Sequence, residues 1–198
     1  NVVNALKMSD EFGMTALHWA CYANRREAVS NLLGFGSNPN ATNKMGDTPL
    51  HIAAHFGFAE IVNELLKFRA GANIKNAKGV TPVHLAAYNG SIDILLALTE
   101  MDNGGFDDEV TVADRDGMTP LHYAVLGNHT TTLEMLLEKV SSSDDDIAPR
   151  DVGKMSPLHW AASLQQVDTV RSLLERYSVK ELNLRDSDGQ TALFYAAQ

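Results

Sequence analysis

The chain has 198 residues, of which 44% are hydrophobic, and a formal net charge of −9 at pH 7. This composition is typical of a folded soluble protein, and the negative charge argues against a nucleic-acid or anionic-membrane surface, which needs a basic face. The charge instead favours a basic partner, or simply serves solubility. A single cysteine, Cys21, excludes an internal disulfide and fits a reducing compartment, so we expect the cytoplasm, with the nucleus as a second option. No apolar run approaches the roughly 18 residues of a membrane-spanning helix.

A short motif close to Thr-Pro-Leu-His-x-Ala occurs six times. Its copies begin at Thr15, Thr48, Thr81, Thr119, Ser156 and Thr191, with steps of 33, 33, 38, 37 and 35 residues. A period of this size predicts a solenoid of stacked units rather than a domain with one core. Both ends of the chain look cut, so we expect a fragment (residues 1–198) of a longer array. We place the repeats at about 11–42, 43–75, 76–113, 114–150 and 151–185, with a partial repeat at 186–198.

The second repeat shows how one unit is expected to fold. Gly46 predicts a tight turn with positive φ, and Thr48 followed by Pro49 is typical of a helix start, because Thr caps the first turn and Pro needs no donor there. Gly57 is expected to end this first helix in a left-handed conformation. The stripe of a second amphipathic helix follows at Ile61, Val62, Leu65 and Leu66.

The pattern as a whole resembles the ankyrin repeat. Asp/Asn-x-x-Gly-x-Thr-Pro-Leu-His-x-Ala-Ala, then Gly, then Ile/Val-Val-x-x-Leu-Leu is similar to the ankyrin signature and covers essentially the whole chain. The resemblance implies an all-α solenoid of helix–turn–helix units with short β-turn or hairpin fingers. Residues 151–154, before the fifth motif, are also loosely similar to the arrays of inversin-type ciliary scaffolds.

Three departures from the pattern carry predictions. Asn24 stands where the second repeat has Gly57, and Asn tolerates the left-handed conformation nearly as well. In the fifth repeat Lys154 takes the usual Gly position, with Gly153 one residue earlier, which predicts a rearranged turn. Repeats three and four each carry an acidic insertion between the second helix and the next turn, and we expect both insertions to extend on the same side of the array.

The acidic insertion of the fourth repeat has three interpretations. It is a solvated loop, or a phosphorylation site, because an Asp follows three residues after each serine as in substrates of acidophilic kinases. Alternatively, it clamps a basic partner together with the acidic residues 107–109 of the third repeat. The candidate phosphorylation sites are Ser141, Ser142 and Ser143.

Catalytic and metal chemistry find little support in the sequence. Five of the seven histidines share one motif position, and the ankyrin resemblance implies that each imidazole connects its own helix start to the next turn. His51 and His55 have the i, i+4 spacing of zinc ligands but lack further partners at suitable spacing. Cys21 fits a buried small side chain, and neither a nucleophile elbow nor a phosphate-binding loop occurs. We therefore predict no enzyme activity, no metal and no cofactor.

Aromatic and methionine side chains concentrate in variable positions of the repeat. Two of these positions are the residue after each motif His and the next turn of that helix, which the resemblance implies face or border a concave surface. The third is the exposed tip of the turn before the motif, where a side chain has little core to enter. The residue after His is equally consistent with framework packing. A long peptide or a partner helix is the expected ligand. The predicted partner-binding residues are Phe12, Met14, Trp19, Tyr22, Met45, Phe56, Tyr88, Met118, Tyr123, Met155, Trp160 and Tyr195.

These observations predict a protein–protein interaction module, an adaptor or scaffold. The alternative is a regulatory ankyrin domain within a larger enzyme or ion channel, which sequence beyond the two ends would decide.

Overall fold

A computed structural model describes residues 6, 8–100, 111–140 and 148–198. The acidic segments at 107–109 and 141–146 lie outside these residues, as do Ser141, Ser142 and Ser143. The predictions made for these two insertions therefore stay predictions.

The described residues form an all-α repeat solenoid of twelve helices, and their one β-type contact is an isolated bridge between Ser9 and Thr15. The helices are α1 (Ala16–Tyr22), α2 (Arg26–Gly34), α3 (Pro49–His55), α4 (Ala59–Lys67), α5 (Pro82–Asn89), α6 (Ile92–Glu100), α7 (Pro120–Leu126), α8 (Thr130–Val140), α9 (Pro157–Ser163), α10 (Val167–Arg176), α11 (Val179–Leu182) and α12 (Ala192–Ala196).

The helices stack in two layers. The helices that begin at the motif pack in the order α1, α3, α5, α7, α9 and α12, while α2, α4 and α6 stack beside them, as do α8 and α10. Small buried residues such as Ala53 and Ala86 let the first layer pack closely, and fully buried leucines such as Leu65 and Leu98 fill the space between the layers. The core is therefore continuous along the array.

A five-residue turn, here called a finger, precedes each motif: residues 10–14, 43–47, 76–80, 114–118, 151–155 and 186–190. In every finger the first N–H donates to the fifth carbonyl over 2.9 to 3.1 Å. Each finger also bonds the next one, since the third residue's carbonyl accepts the N–H of the next finger's second residue, as in Lys44 N to Phe12 O at 3.0 Å. The fingers thus form one hydrogen-bonded ladder along an edge of the array.

The fourth finger residue has a left-handed backbone throughout, and this corrects the prediction for the fifth repeat. Lys154 has φ 58° and donates its N–H to Asp151 O at 2.8 Å, just as Gly46 (φ 79°) donates to Asn43 O at 3.0 Å. The fifth finger is not rearranged, because ladder bonds on both sides impose its shape. The left-handed conformation predicted for Asn24 is confirmed, with φ 52°.

Lys154→Gly should therefore stabilise the array. The left-handed conformation costs a non-glycine residue roughly 1–2 kcal/mol, and the extra chain entropy of Gly offsets about half of that. We expect the free energy of unfolding in urea to rise by about 0.5–1 kcal/mol. The matched control, Lys44→Gly at an exposed finger residue without positive φ, should lower it slightly. Equal changes in the two variants would contradict the strain at Lys154.

The motif histidines connect consecutive repeats. His51 Nδ1 accepts the Thr48 N–H at 3.1 Å, and its Nε2 donates to Val80 O in the next finger at 3.1 Å. The same pair of bonds recurs at His18, His84, His122 and His159. Because a carbonyl only accepts, Nε2 carries a proton. Because Nδ1 accepts an N–H, it carries none, so the imidazole is neutral. The predicted structural role of the motif histidines is confirmed.

Burial lowers the pKa of the His84 imidazole from 6.5 to about 4, against the smaller raising effect of its bond to Met118 O. Burial likewise lowers the pKa of His18, His51 and His122. In the unfolded chain these side chains bind protons near pH 6.5, so the unfolded state takes up more protons than the folded state at mildly acidic pH.

Stability should consequently be full above about pH 6.5 and fall as the pH drops towards 4. For His84 alone the loss sums to about 3 kcal/mol. His84→Gln should lower stability at pH 7.5 but flatten the slope of unfolding free energy between pH 6.5 and 5 by about 1 kcal/mol per pH unit. The control is Leu98→Val in the core, which changes no titratable group; it should lower stability without changing the slope in urea titrations followed by circular dichroism. A slope that His84→Gln does not change would contradict this account.

Candidate partner-binding groove

In four of the six repeats the finger holds the residue that follows the motif His position, which is Phe194 in repeat six. In repeats one, four, five and six the first finger residue is Asp, and the residue after the His position is Trp or Tyr. One carboxylate oxygen accepts finger N–H groups, and the other accepts the ring N–H or O–H. The ring bonds are Trp19–Asp10 at 2.9 Å, Tyr123–Asp114 at 2.8 Å, Trp160–Asp151 at 2.9 Å and Tyr195–Asp186 at 2.6 Å.

The hydrogen bond in each Asp–aromatic pair holds the ring against the finger. The hydrogen bond from Tyr195 holds the pKa of the Asp186 carboxyl below its usual value, and the same bond raises the pKa of Tyr195. Burial, followed by the bond to Asp114, raises the pKa of Tyr123. Asp186 therefore stays ionised, and its bond keeps the Tyr195 ring in the angle between finger and helix.

Repeats two and three lack this pair. Their first finger residues are Asn43 and Asn76, and the residues after His are the aliphatic Ile52 and Leu85. The amide oxygens still accept finger N–H groups at 2.9 to 3.0 Å, and Asn76 Nδ2 donates to Asp47 Oδ1 at 2.7 Å. No ring fills the angle between finger and helix in these two repeats.

A groove of about 370 Å³ opens at this place, which we call the notch. Ile52 and Leu85, both largely buried, form its floor. This volume is at the lower end for ligand pockets. Its lining residues are Met45, Asp47, His51, Ile52, His55, Phe56, Asn76, Lys78, Val80, Leu85 and Tyr123.

A row of half-exposed rings runs beside the notch on α1, α3 and α5, and we call it the aromatic row. Trp19 contacts Tyr22 with ring centroids 5.6 Å apart, and Tyr22 contacts Phe56 at 5.3 Å, both edge to face. His55 contacts Phe56 at 4.9 Å and stacks on Tyr88 at 6.4 Å. The exposed fractions of Trp19, Tyr22, Phe56 and Tyr88 are 46, 52, 42 and 43%. Contiguous exposed rings of this kind mark interaction surfaces.

Comparison with known families agrees with this architecture. A family described as ankyrin repeats (3 copies) matches residues 1–76, 56–151 and 143–198, which together span the chain. The chain belongs to the ankyrin-repeat family. Ankyrin repeats are in general protein–protein interaction modules and are typically non-enzymatic. Comparison with curated proteins finds no match, so the looser similarity to inversin-type scaffolds stays a prediction.

Metal and membrane chemistry are not supported by the described part of the ankyrin array. Within residues 8–100, 111–140 and 148–198, no group of three or more His, Cys, Asp or Glu side chains could hold a metal ion. None of the helices described there is long and apolar enough to cross a bilayer. Burial raises the pKa of Cys21 to about 12, so its thiol stays protonated and unreactive.

The array places the predicted partner-binding residues in different surroundings. Trp19, Tyr22, Phe56 and Tyr88 form the aromatic row, and Phe56 also lines the notch together with Met45 and Tyr123. Phe12 is exposed on the first finger, while Trp160 and Tyr195 are half-buried at the far end of the array. Which of these residues bind a partner stays a prediction.

Three methionines lie elsewhere than predicted. Met14, Met118 and Met155 were expected on exposed turn tips, but each is the last finger residue and is half-buried. Met14 packs against the core, and the carbonyls of Met118 and Met155 accept the His84 and His122 bonds. The placement was wrong because this residue borders the next helix start, whereas Met45, two residues earlier in its finger, is exposed.

Sequence reasoning missed the notch residue Lys78. Together with Lys44 and Arg115 it is exposed on a finger of repeats two to four, and none of the three forms an ion pair with a carboxylate of the described residues. Cross-repeat ion pairs lie instead between second helices, as in Arg26–Glu60 at 3.2 Å. The sequence does mark this site. Repeats two and three have Asn at the first finger position and an aliphatic residue after His, where the other repeats have Asp and an aromatic residue.

The Asp–aromatic pair should contribute to stability even where its ring is half-exposed. Trp160→Phe keeps a ring but removes the N–H that Asp151 accepts, so we expect a loss of about 1 kcal/mol in unfolding free energy. The control Tyr88→Phe removes the hydroxyl of an exposed ring and should stay within about 0.5 kcal/mol of wild type. Equal effects in urea denaturation would show that the Trp160 bond contributes nothing.

Proposed function

We propose that this ankyrin array is an adaptor or scaffold module that binds an extended peptide or partner helix along the aromatic row and the notch. The observation that carries the proposal is the unbroken ring series from Trp19 to Tyr88, which crosses three repeats on one side of the array. A ligand laid across several repeats would contact these rings in sequence.

The energetics support such a surface. An aromatic side chain buries about 150–250 Å² when fully covered, so covering the exposed half of each ring is worth about 2 kcal/mol at roughly 25 cal/mol per Å². The edge-to-face contacts hold Tyr22 between Trp19 and Phe56. A partner therefore meets rings that are already ordered, and loses less conformational entropy on binding.

The location we propose for this adaptor is the cytoplasm or the nucleus, where a buried, protonated Cys21 thiol suits the reducing conditions. The basic-partner prediction draws on the net charge of the whole chain and on acidic segments outside the described residues.

Selection from a displayed random peptide library tests the proposal. Peptides enriched on the wild-type array should lose at least about tenfold in affinity for a Tyr22→Ala/Phe56→Ala variant, because both changes remove central rings. The matched control is Phe35→Ala/Phe68→Ala, which removes two exposed rings at the ends of α2 and α4 and should leave affinity unchanged.

Circular dichroism and urea midpoints establish that both variants stay folded. Failure to enrich any peptide, or an equal affinity loss in the control variant, would overturn the proposal.

A further inference from the structure

We infer that the notch is a specificity pocket for one large apolar side chain of the partner, and that the partner carries an acidic residue within two positions of it. This inference rests on the proposed function, since it concerns the same groove, and it specifies the chemistry of the bound segment. The carboxylate would pair with Lys78, with Lys44 and Arg115 nearby on the flanking fingers.

The notch exists because two repeats leave out the ring that the other repeats place there. In repeats one and four the angle between finger and helix is occupied by the Trp19 and Tyr123 rings, each of which is bonded to the Asp of its own finger. Ile52 and Leu85 are shorter, so the corresponding space stays open to a partner. Its shape is therefore complementary to a ring or a branched aliphatic side chain supplied from outside.

The walls of the notch combine a fixed side with an adaptable one. Tyr123 is fixed, because its hydroxyl donates to Asp114 at 2.8 Å. Met45 is 59% exposed, and its flexible thioether can adjust to the shape of the guest. With Phe56 and the floor residues these walls give the notch a mainly apolar lining, which favours an apolar guest because a polar one would lose its water contacts.

Local charge decides the second feature of the ligand. Lys78 lines the notch, and its backbone carbonyl accepts the Arg115 N–H at 2.9 Å, so the two residues are neighbours on adjacent fingers. The notch carboxylate Asp47 already accepts a bond from Asn76. Asp116 follows Arg115 on the fourth finger and is exposed to solvent.

Screening makes these nearby cations more important than the net charge of the chain. The Debye length is about 8 Å at physiological ionic strength, so distant acidic residues contribute little to the potential inside the notch. An acidic residue beside the apolar guest gains the attraction of Lys78 and Arg115, whereas a basic residue in that place is repelled.

A variant that fills the notch without disturbing the fold provides the test. Asn43→Asp with Ile52→Trp rebuilds in repeat two the pair that Asp151 and Trp160 form in repeat five. The two sites match, because a methionine ends the preceding finger in each case, Met14 or Met118. The control is Asn43→Asp alone, which makes the same change in the finger but keeps Ile52, so the notch stays open.

The probe is a degenerate synthetic peptide library with one fixed aromatic residue to engage the aromatic row. Wild type and the Asn43→Asp control should both select a second, large apolar residue with Asp or Glu within two positions. The filled variant should lose this selection and bind the best wild-type peptide at least about tenfold more weakly. Lys78→Glu should replace the Asp or Glu preference by Lys or Arg.

The inference is overturned if the filled variant selects the same second apolar residue as wild type, or if Lys78→Glu leaves the acidic preference intact. Enriched peptides that depend on Tyr22 and Phe56 but not on the notch would sink this inference while supporting the proposed function. No enrichment on any array would overturn both. A dimer of wild type in sedimentation velocity that the filled variant loses would make a second copy the occupant, and would also overturn it.

Discussion

The array depends on the two hydrogen bonds that the neutral imidazole of each motif histidine makes. Its Nδ1 accepts the N–H of the cap residue of its own helix, and its Nε2 donates to the finger of the next repeat, as His51 does between Thr48 and Val80. One buried side chain thus fixes a helix start and a repeat junction together. Because Nδ1 can accept only in the uncharged ring, the ring makes both bonds at once only while it is neutral.

Much of this arrangement could be predicted from local patterns. Thr followed by Pro starts a helix at each of its three occurrences, which begin at Thr48, Thr81 and Thr119. The recurring His position implied a structural bridge through the ankyrin resemblance. The same local reasoning failed at Lys154, because it treated the finger as an isolated turn. In the array the ladder bonds on both sides decide the backbone, and the lysine adopts a conformation that its own preferences disfavour.

The groove could not be predicted in the same way. The aromatic residues after His were visible in the sequence, but their bonds join residues nine positions apart through the fold, as in Trp160 and Asp151. Only these bonds reveal that Ile52 and Leu85 leave a space. The aromatic row was partly predicted, since Tyr22, Phe56 and Tyr88 were named, but their mutual contacts depend on the distance between stacked helices.

The pairing of finger and ring sets the shape of the groove at each repeat. Helix stacking depends mainly on other residues, the buried alanines, leucines and histidines of the core. Two coupled substitutions per repeat are therefore enough to close the groove at one repeat and open it at another. An exchange of these two residues in a single repeat would therefore move the open site along the array. The array would then accept a large side chain at a different position of the ligand.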